Sequence, residues 1–377
     1  MRHFRRLVVL VVLMAVAGMG CNPTALSPTF GPAAPTLHSP PRPTPRPPDP
    51  LVPTVPGVVI ASPAPPTVAG ALPASPPTGR ERFGVGVPLG PLDAYPVERL
   101  GIGWYLTWWV QVNPPRPAGV DFWQMIRVSE DGYRPDEATI RAAAEANPGS
   151  TWLIGNEPDV RWQDNTTPEQ YARLYHELYT LLKAVDPTCR VAIGGVAQPT
   201  PLRLAYLDRV LAAYQEFYGE PMPVDVWNVH AFILREERDS WGVDIPPGMD
   251  ATAGVLYEIA DHDDMELFQQ QIVAFRRWMA EHGQRNRPLV VSEYGVLMPP
   301  DYGFDAARVQ AFMAATFDFF LTATDDEIGY PADDNRLVQW WCWYSLADTT
   351  YPTGNLFDPQ TRTPTPLGIS WAGYEPP

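Results

Sequence analysis

From residue 82 onward, short apolar runs alternate with amphipathic stretches, and this alternation limits the possible folds more than any other feature of the chain. Eight runs have the length of a buried strand: 83–87, 100–105, 122–128, 152–155, 191–194, 224–230, 289–292 and 337–344. In the second half of the chain, helical patterns mostly separate them. Alternating strands and helices favour a parallel sheet, and eight strands favour closure. The sequence therefore predicts an α/β fold, a (β/α)8 TIM barrel.

Helix starts in this region carry capping residues. At one of them Thr167 is a predicted N-cap, Pro168 takes the first helical position, and Gln170 completes a capping box. Predicted caps stand at Asp136, Thr167, Asp263 and Asp305. The first two crossovers, 88–98 and 107–121, are predicted to be long loops. An open doubly wound sheet is the alternative fold, but only the incomplete Gly84-Val85-Gly86 motif favours it.

The first eighty residues differ in composition from the rest. Residues 1–6 are basic, residues 7–20 are apolar, and small residues precede Cys21. This segment resembles a bacterial lipoprotein signal, with Gly18 where leucine is usual, and the resemblance implies lipidation of Cys21 and a membrane anchor. Ordinary secretion and an uncleaved anchor are the alternatives. All three place the body outside the cytoplasm, so we predict a signal over 1–21.

Residues 22–80 are rich in proline, alanine, threonine and serine. Such a segment buries too little apolar surface to fold, and proline keeps it extended. We therefore predict a disordered linker over 22–80 that spaces the catalytic domain, residues 81–377, from the membrane.

Charge and cysteine content exclude several classes of function. The chain carries a formal net charge of −16, which disfavours binding to nucleic acid and suits a neutral substrate. Three cysteines form no disulfide framework, and Cys189 and Cys342 read as buried thiols. No metal-ligand spacing is visible, and we expect neither a metal nor a cofactor.

Two glutamates directly follow predicted strands. Glu157 stands in Gly155-Asn156-Glu157-Pro158, after the fourth strand, and Glu293 stands in Ser292-Glu293-Tyr294-Gly295, after the seventh. Barrel chemistry lies at the carboxyl ends of strands, so both side chains are expected in one cleft. For either glutamate alone, a cap or an ion pair is the simpler interpretation. Paired carboxyl groups are what glycosidic bond cleavage needs.

These two segments resemble clan A of the glycoside hydrolases, the 4/7 superfamily, over residues 82–370, with members near families 39 and 5 most similar. The resemblance implies a retaining mechanism, with Glu157 as general acid/base and Glu293 as nucleophile. It also implies that Asn156 binds the sugar 2-hydroxyl, that His230 contacts substrate or nucleophile, and that a strand-eight tryptophan, assigned to Trp343, lies under the central sugar.

Further residues have two interpretations each. Tyr294 faces the cleft or packs behind it, and Arg127 contacts the nucleophile or sugar or forms a structural ion pair. Trp104, Trp108 and Trp109, near the second strand, are candidates for stacking on sugar faces.

The resulting prediction is a retaining glycoside hydrolase acting on a neutral poly- or oligosaccharide. One alternative is an inactive carbohydrate-binding barrel displayed at the cell surface. Another is a barrel enzyme of unrelated chemistry, such as an aldolase, which would need a strand-end lysine or a phosphate loop.

Overall fold

The structure, a computed structural model, describes residues 76–377. The predicted signal over 1–21 with Cys21, and nearly all of the predicted linker, lie outside the described residues. The predicted boundary at residue 81 falls within a short 3-10 helix, Gly79–Arg82, which leads into the first strand. None of the helices in residues 76–377 combines the length and apolar character needed to span a membrane.

Nine strands form one sheet in the described residues. They are β1 (Phe83–Gly86), β2 (Trp104–Leu106), β3 (Asp121–Ser129), β4 (Gly132–Arg134), β5 (Thr151–Ile154), β6 (Arg190–Ile193), β7 (Trp227–His230), β8 (Leu289–Tyr294) and β9 (Trp340–Trp343). Eight are parallel, in the order β6-β5-β3-β2-β1-β9-β8-β7, and β4 is an antiparallel hairpin on β3. Isolated bridges from Ala192 to Val226 and from Val196 to Val229 join β6 to β7. The predicted (β/α)8 barrel is confirmed, with β5 and β8 as its fourth and seventh strands.

Six α-helices accompany the strands within residues 76–377. They are α1 (Glu137–Ala146), α2 (Pro168–Val185), α3 (Pro201–Tyr218), α4 (Met265–Glu281), α5 (Ala306–Thr322) and α6 (Pro366–Ala372). The first two crossovers contain only short 3-10 turns, Leu92–Ala94, Val97–Leu100 and Pro117–Gly119, so their prediction as loops is confirmed.

Three of the four predicted caps are confirmed. Asp136 and Asp305 each accept a backbone N–H from the third helical residue, and Thr167 forms a full capping box with Gln170. The fourth predicted cap, Asp263, was wrong by one residue. Asp264 caps α4, because the Asp263 carboxylate is held instead by the guanidinium of Arg308.

The barrel interior is closed at the amino ends of its strands by aromatic side chains. Trp104 stacks on Trp123 with ring centroids 4.1 Å apart, and Trp340 meets Trp123 edge-on at 5.5 Å. Side chains alternate along β9, so Trp340 and Cys342 face inward while Trp341 packs against the helices. Both described cysteines are buried free thiols, as predicted. Side chains therefore fill the barrel at the amino ends of its strands, and the cavity lies at the carboxyl ends.

Candidate active site

Glu157 reaches the barrel mouth through a turn that leaves β5 in left-handed backbone conformations. Gly155 has φ +94° and Glu157 φ +45°, and the Glu157 N–H donates to the Gly195 carbonyl at 3.0 Å. The buried carboxylate of Asp164 holds the turn by accepting the backbone N–H of Asn156 at 2.6 Å. Positive φ at a residue with a side chain is uncommon and concentrates at functional sites.

Glu293 lies near the end of β8, where its pairing with both neighbouring strands shifts register. Its Oε1 accepts the indole N–H of Trp108 at 2.7 Å. Trp108 comes from the loop after β2, so a residue distant in sequence fixes the orientation of this carboxylate. An N–H donor of this kind stabilises the ionised carboxylate.

His230, the last residue of β7, lies between the two glutamates. Its Nδ1 is 2.9 Å from Glu157 Oε1, and its Nε2 is 3.7 Å from Glu293 Oε1. One carboxylate oxygen of each glutamate and a ring nitrogen lie within 4.8 Å of one another. Space for the ring exists because residue 195 is glycine: a Cβ there would be 2.5 Å from His230 Cδ2. The sequence predicted all three residues at strand ends, and the structure brings them together.

Burial dominates the ionisation of this group. Loss of solvent raises the pKa of Glu293 to about 7, His230 opposes the rise, and Glu157 adds to it. The Trp108 N–H and the Arg127 charge lower the pKa again by smaller amounts. Burial alone would lower the pKa of His230, but the charges of Glu293 and Glu157 together raise it. The raised pKa values of Glu293 and His230 allow these two groups to hold protons near neutral pH.

Glu157 and Glu293 line an open cavity of about 470 Å³, whereas His230 is fully buried and does not line it. Asn156, Arg127 and Gln163 contribute polar groups, and many of the remaining lining side chains are aromatic. Trp108 and Trp109, proposed from sequence as stacking residues, both line it, and Trp109 is 51% exposed. A cavity of this size and aromatic content suits sugar rings.

Asn156 and Arg127 both line the cavity, but they differ in their hydrogen-bond partners. The Asn156 Oδ1 is buried and has no hydrogen-bond partner within residues 76–377. Arg127 is committed to structure: its Nε pairs with Asp164 Oδ1 at 2.6 Å, and a second nitrogen donates to Gln163 at 3.1 Å. Of the two interpretations of Arg127, the structure favours the ion pair, and its charge still acts on Glu293 at a distance.

Three predicted contacts with substrate need correction. Trp104 is buried in the barrel floor, Tyr294 packs among Phe268, Phe320 and Trp343, and Trp343 donates its N–H to the Gly354 carbonyl at 2.7 Å. None of the three lines the cavity. Alternation along β9 turns Trp343 toward the helices, and the register shift in β8 turns Tyr294 the same way. Trp104 lies too near the amino end of β2 to reach the mouth.

Tyr344 lies where the resemblance placed Trp343. It follows Trp340 and Cys342 in the inward alternation, lines the cavity, and meets Trp108 edge-on at 5.7 Å. Its hydroxyl donates to Asp348 Oδ2 at 2.6 Å. Sequence reasoning missed Tyr344, although counting by twos from Trp340 would have found it.

Two carboxylates and an imidazole are also a donor set that suits a transition metal. Within residues 76–377 this group alone has donor atoms close enough to share an ion. Here, however, His230 hydrogen-bonds directly to Glu157, and Glu293 already accepts the Trp108 N–H. The arrangement is organised for proton exchange between side chains.

A family described as Glycosyl hydrolase catalytic core matches residues 93–243, a span that contains Glu157 and His230. No curated protein sequence matches the chain.

Solved glucanase structures share the fold at low identity. A GH128 (subgroup II) endo-β-1,3-glucanase from Pseudomonas viridiflava is 18% identical, with a TM-score of 0.55, over 78% of this chain and 98% of that one. A GH128 (subgroup I) endo-β-1,3-glucanase from Amycolatopsis mediterranei, in complex with laminaritriose, is 20% identical, with a TM-score of 0.51, over 78% and 99%. A GH128 (subgroup III) curdlan-specific exo-β-1,3-glucanase from Blastomyces gilchristii is 16% identical, with a TM-score of 0.52, over 78% and 99%.

The matched catalytic core and the buried pair of glutamates at one barrel mouth support a glycoside hydrolase. The similarity to the glucanases shows the barrel fold. The narrower resemblance to families 39 and 5 stays a prediction, because the solved structures described above belong to GH128.

Proposed function

We propose that this protein is a retaining glycoside hydrolase of the clan A type that cleaves a β-1,3-linked glucan, with Glu157 as acid/base and Glu293 as nucleophile. One observation carries the proposal: carboxylate oxygens of the two residues lie within 4.8 Å of each other. Retaining enzymes place their carboxyl groups about 5–5.5 Å apart, whereas inverting enzymes need about 6.5–9.5 Å to admit a water.

In the first step, Glu157 gives its proton to the glycosidic oxygen while a Glu293 oxygen attacks the anomeric carbon. The bond from that carbon to the leaving oxygen breaks, and the leaving sugar departs as an alcohol. In the second step, Glu157 takes a proton from water, whose oxygen attacks the same carbon and releases Glu293 as carboxylate. Two displacements restore the original anomeric configuration.

The tautomer of His230 determines which of the two glutamates carries the proton. With the hydrogen on Nε2, the ring faces Glu293 with a donor and presents the Nδ1 lone pair to Glu157 at 2.9 Å. Glu157 then donates as the protonated acid, and Glu293 is the carboxylate that Trp108 and His230 stabilise. This is the charge distribution that the first displacement needs.

Sugar binding is expected to use the groups left free in the cavity. The unpartnered Asn156 Oδ1 is suited to accept the 2-hydroxyl hydrogen, as in clan A enzymes. The rings of Trp108, Trp109 and Tyr344 offer apolar faces for pyranose rings. The β-1,3-glucan substrate is suggested by the three glucanases, and the acidic charge of the chain agrees with a neutral polymer.

The protein is also proposed to act outside the cytoplasm, tethered through a lipid on Cys21. Cys21→Ser should move the protein from the membrane fraction to the medium or periplasm. An unchanged membrane fraction would favour the uncleaved anchor.

The decisive experiment is cleavage of laminarihexaose, a β-1,3-linked oligosaccharide, followed by proton NMR during the first minutes. The β-anomer should form first and then mutarotate. Initial α-anomer would establish inversion and remove the nucleophile role from Glu293. Glu157→Gln and Glu293→Gln should each abolish turnover while the variants still bind laminarihexaose, and azide should restore Glu293→Gly on an activated aryl glycoside.

The same assay separates the alternative. An inactive carbohydrate-binding barrel would bind laminarihexaose without cleaving it, and both glutamine variants would then bind as the unaltered protein does.

A further inference from the structure

The cavity is chemically divided into two halves. Polar side chains, among them Arg127, Asn156 and Asp348, come from β3 itself and from the loops after β5 and β9. The loops after β7 and β8 contribute, besides Trp241 and Tyr302, a surface that we call the hydrocarbon wall: Phe232, Leu234, Val243, Ile259, Leu297 and Met298. None of these six side chains carries an oxygen or nitrogen atom.

The main chain of the hydrocarbon wall is largely satisfied as well. Gln198 binds both the N–H and the carbonyl of Leu234, each at 2.8 Å. The carbonyl of Val243 accepts from Arg203 at 3.1 Å, and its N–H donates to the Arg235 carbonyl at 3.0 Å.

Main-chain groups of two further wall residues are also hydrogen-bonded within the protein. The Phe232 carbonyl accepts from Gln271 at 3.1 Å, and the Leu297 N–H donates to His262 Nε2 at 2.9 Å. These polar groups are turned into the protein, so the face toward the cavity is hydrocarbon.

A sugar is poorly matched to such a face. Its hydroxyls would lose water and find no partner there, which disfavours binding. Five of the six side chains, all except Phe232, also lack the flat ring that stacks on a pyranose. A hydrocarbon chain, by contrast, gains affinity with each methylene that it buries, about fourfold per group.

We propose that the hydrocarbon wall binds an apolar aglycone, so that the enzyme accepts alkyl glycosides in addition to glucan. The inference rests on the proposed function, since it concerns the same site. The wall is continuous with the catalytic group: Phe232 meets the His230 ring edge-on, with centroids 6.3 Å apart at 90°. A sugar seated between Glu157 and Glu293 therefore places its aglycone within reach of the wall.

The test measures binding of methyl, hexyl and octyl β-D-glucoside to the full chain by calorimetry, below the micelle concentration of each. The dissociation constant should fall at least tenfold from methyl to octyl, and laminaritriose should displace the octyl compound. A dissociation constant that does not change with chain length, or octyl binding that laminaritriose leaves intact, would overturn the inference.

Two substitutions locate the effect. Leu297→Asn and Met298→Gln place polar groups on the wall. Each should reduce the affinity for octyl glucoside relative to methyl glucoside at least threefold. Ile369→Asn is the matched control, because Ile369 is an exposed apolar residue on α6 outside the cavity. Its relative affinity for octyl and methyl glucoside should equal that of the unaltered protein. Equal ratios in all three variants would place octyl binding elsewhere and refute the wall.

Laminarihexaose cleavage by the same preparations reports the proposed function separately. Cleavage with no dependence on alkyl chain length removes only the wall inference. Strong dependence without cleavage of any glycoside supports the wall and removes the hydrolase proposal.

Discussion

Two buried charged clusters stand side by side in this barrel, and they are built differently. The first contains Arg203, Asp159 and Glu236, all with fully buried side chains. Arg203 ion-pairs with Asp159, and its Nε donates to Glu236 at 2.8 Å. It also donates to the carbonyls of Val243 and Asp244.

The second cluster, Glu157, His230 and Glu293, is slightly more exposed, and its central group is an imidazole, which can lose its charge, in place of a guanidinium. Two carboxylates share one imidazole, and His230 Nε2 has no hydrogen-bond partner within residues 76–377. Burial therefore shifts the pKa of Glu293 to about 7. A guanidinium keeps its charge and holds buried carboxylates in place, whereas an imidazole between carboxylates can take up and release a proton near neutral pH.

The two clusters are connected through the chain. Asp159 lies two residues after Glu157, and Glu236 lies in the long loop after β7, which His230 ends. Arg203 thereby ties the turn that carries Glu157 to the loop that follows His230. The comparison predicts that damage to the first cluster appears as lost stability and damage to the second as altered protonation.

The largest expected effect is on folding. Arg203→Leu leaves Asp159 and Glu236 buried without a counter-charge and should lower the free energy of unfolding by about 3–5 kcal/mol. Arg141→Leu is the matched control, because its pair with Glu137 on α1 is about half exposed and contributes roughly 0.3–0.5 kcal/mol. Urea unfolding measures both. A loss for Arg203→Leu no larger than the control would show that the first cluster does not stabilise the fold.

The second prediction concerns the pH dependence of stability. Burial raises the folded-state pKa of Glu293 from 4.5 to about 7, so the folded protein holds this proton more tightly. The resulting stability is complete below pH 4.5 and is lost as pH rises to about 7, on the order of 3 kcal/mol. The raised pKa of His230 acts in the same direction. Glu293→Gln should remove most of this slope in thermal unfolding followed from pH 4.5 to 8, and parallel curves would contradict the raised pKa of Glu293.

The third prediction isolates the tryptophan that supports the nucleophile. Trp108→Phe keeps an aromatic ring but removes the N–H that stabilises ionised Glu293, so the pKa of Glu293 should rise further. Near pH 6, kcat/KM should fall about tenfold, or about 1.4 kcal/mol, and the acidic limb of the profile should move to higher pH. A loss that is equal at every pH would mean that Trp108 serves only to bind the sugar.

The smallest effect is expected at the barrel floor. Trp104→Phe should lower thermal stability but change KM less than twofold, which corresponds to under about 0.4 kcal/mol of binding. Trp104 stacks on Trp123 below the cavity, where no sugar reaches. A KM that rises tenfold would return Trp104 to the substrate site.

Strands and helices were predictable because hydrophobic periodicity and caps are local signals. Thr167 and Gln170 form the predicted capping box, and the apolar run at 337–344 contains the buried strand β9. The Asp263 cap failed because a distant residue, Arg308, competes for its carboxylate. Such competition is tertiary and leaves no trace in the local sequence.

At the site, strand ends predicted Glu157, His230 and Glu293, because the barrel brings those ends together. What the sequence lacked was the phase of each strand, the choice of inward or outward face. An error of one residue in that phase exchanged Trp343 for Tyr344. The Trp108 contact to Glu293 spans 185 residues and depends on a loop conformation that no periodic pattern encodes.

Gly195 touches no part of the proposed substrate, yet a methyl group at this position would overlap the His230 ring. A relative with alanine here would keep both glutamates and the whole barrel while its imidazole was displaced from between them. An inventory of catalytic residues would score that relative as an active enzyme. Among relatives with this site, the residue at position 195 should therefore predict loss of activity better than the two glutamates do.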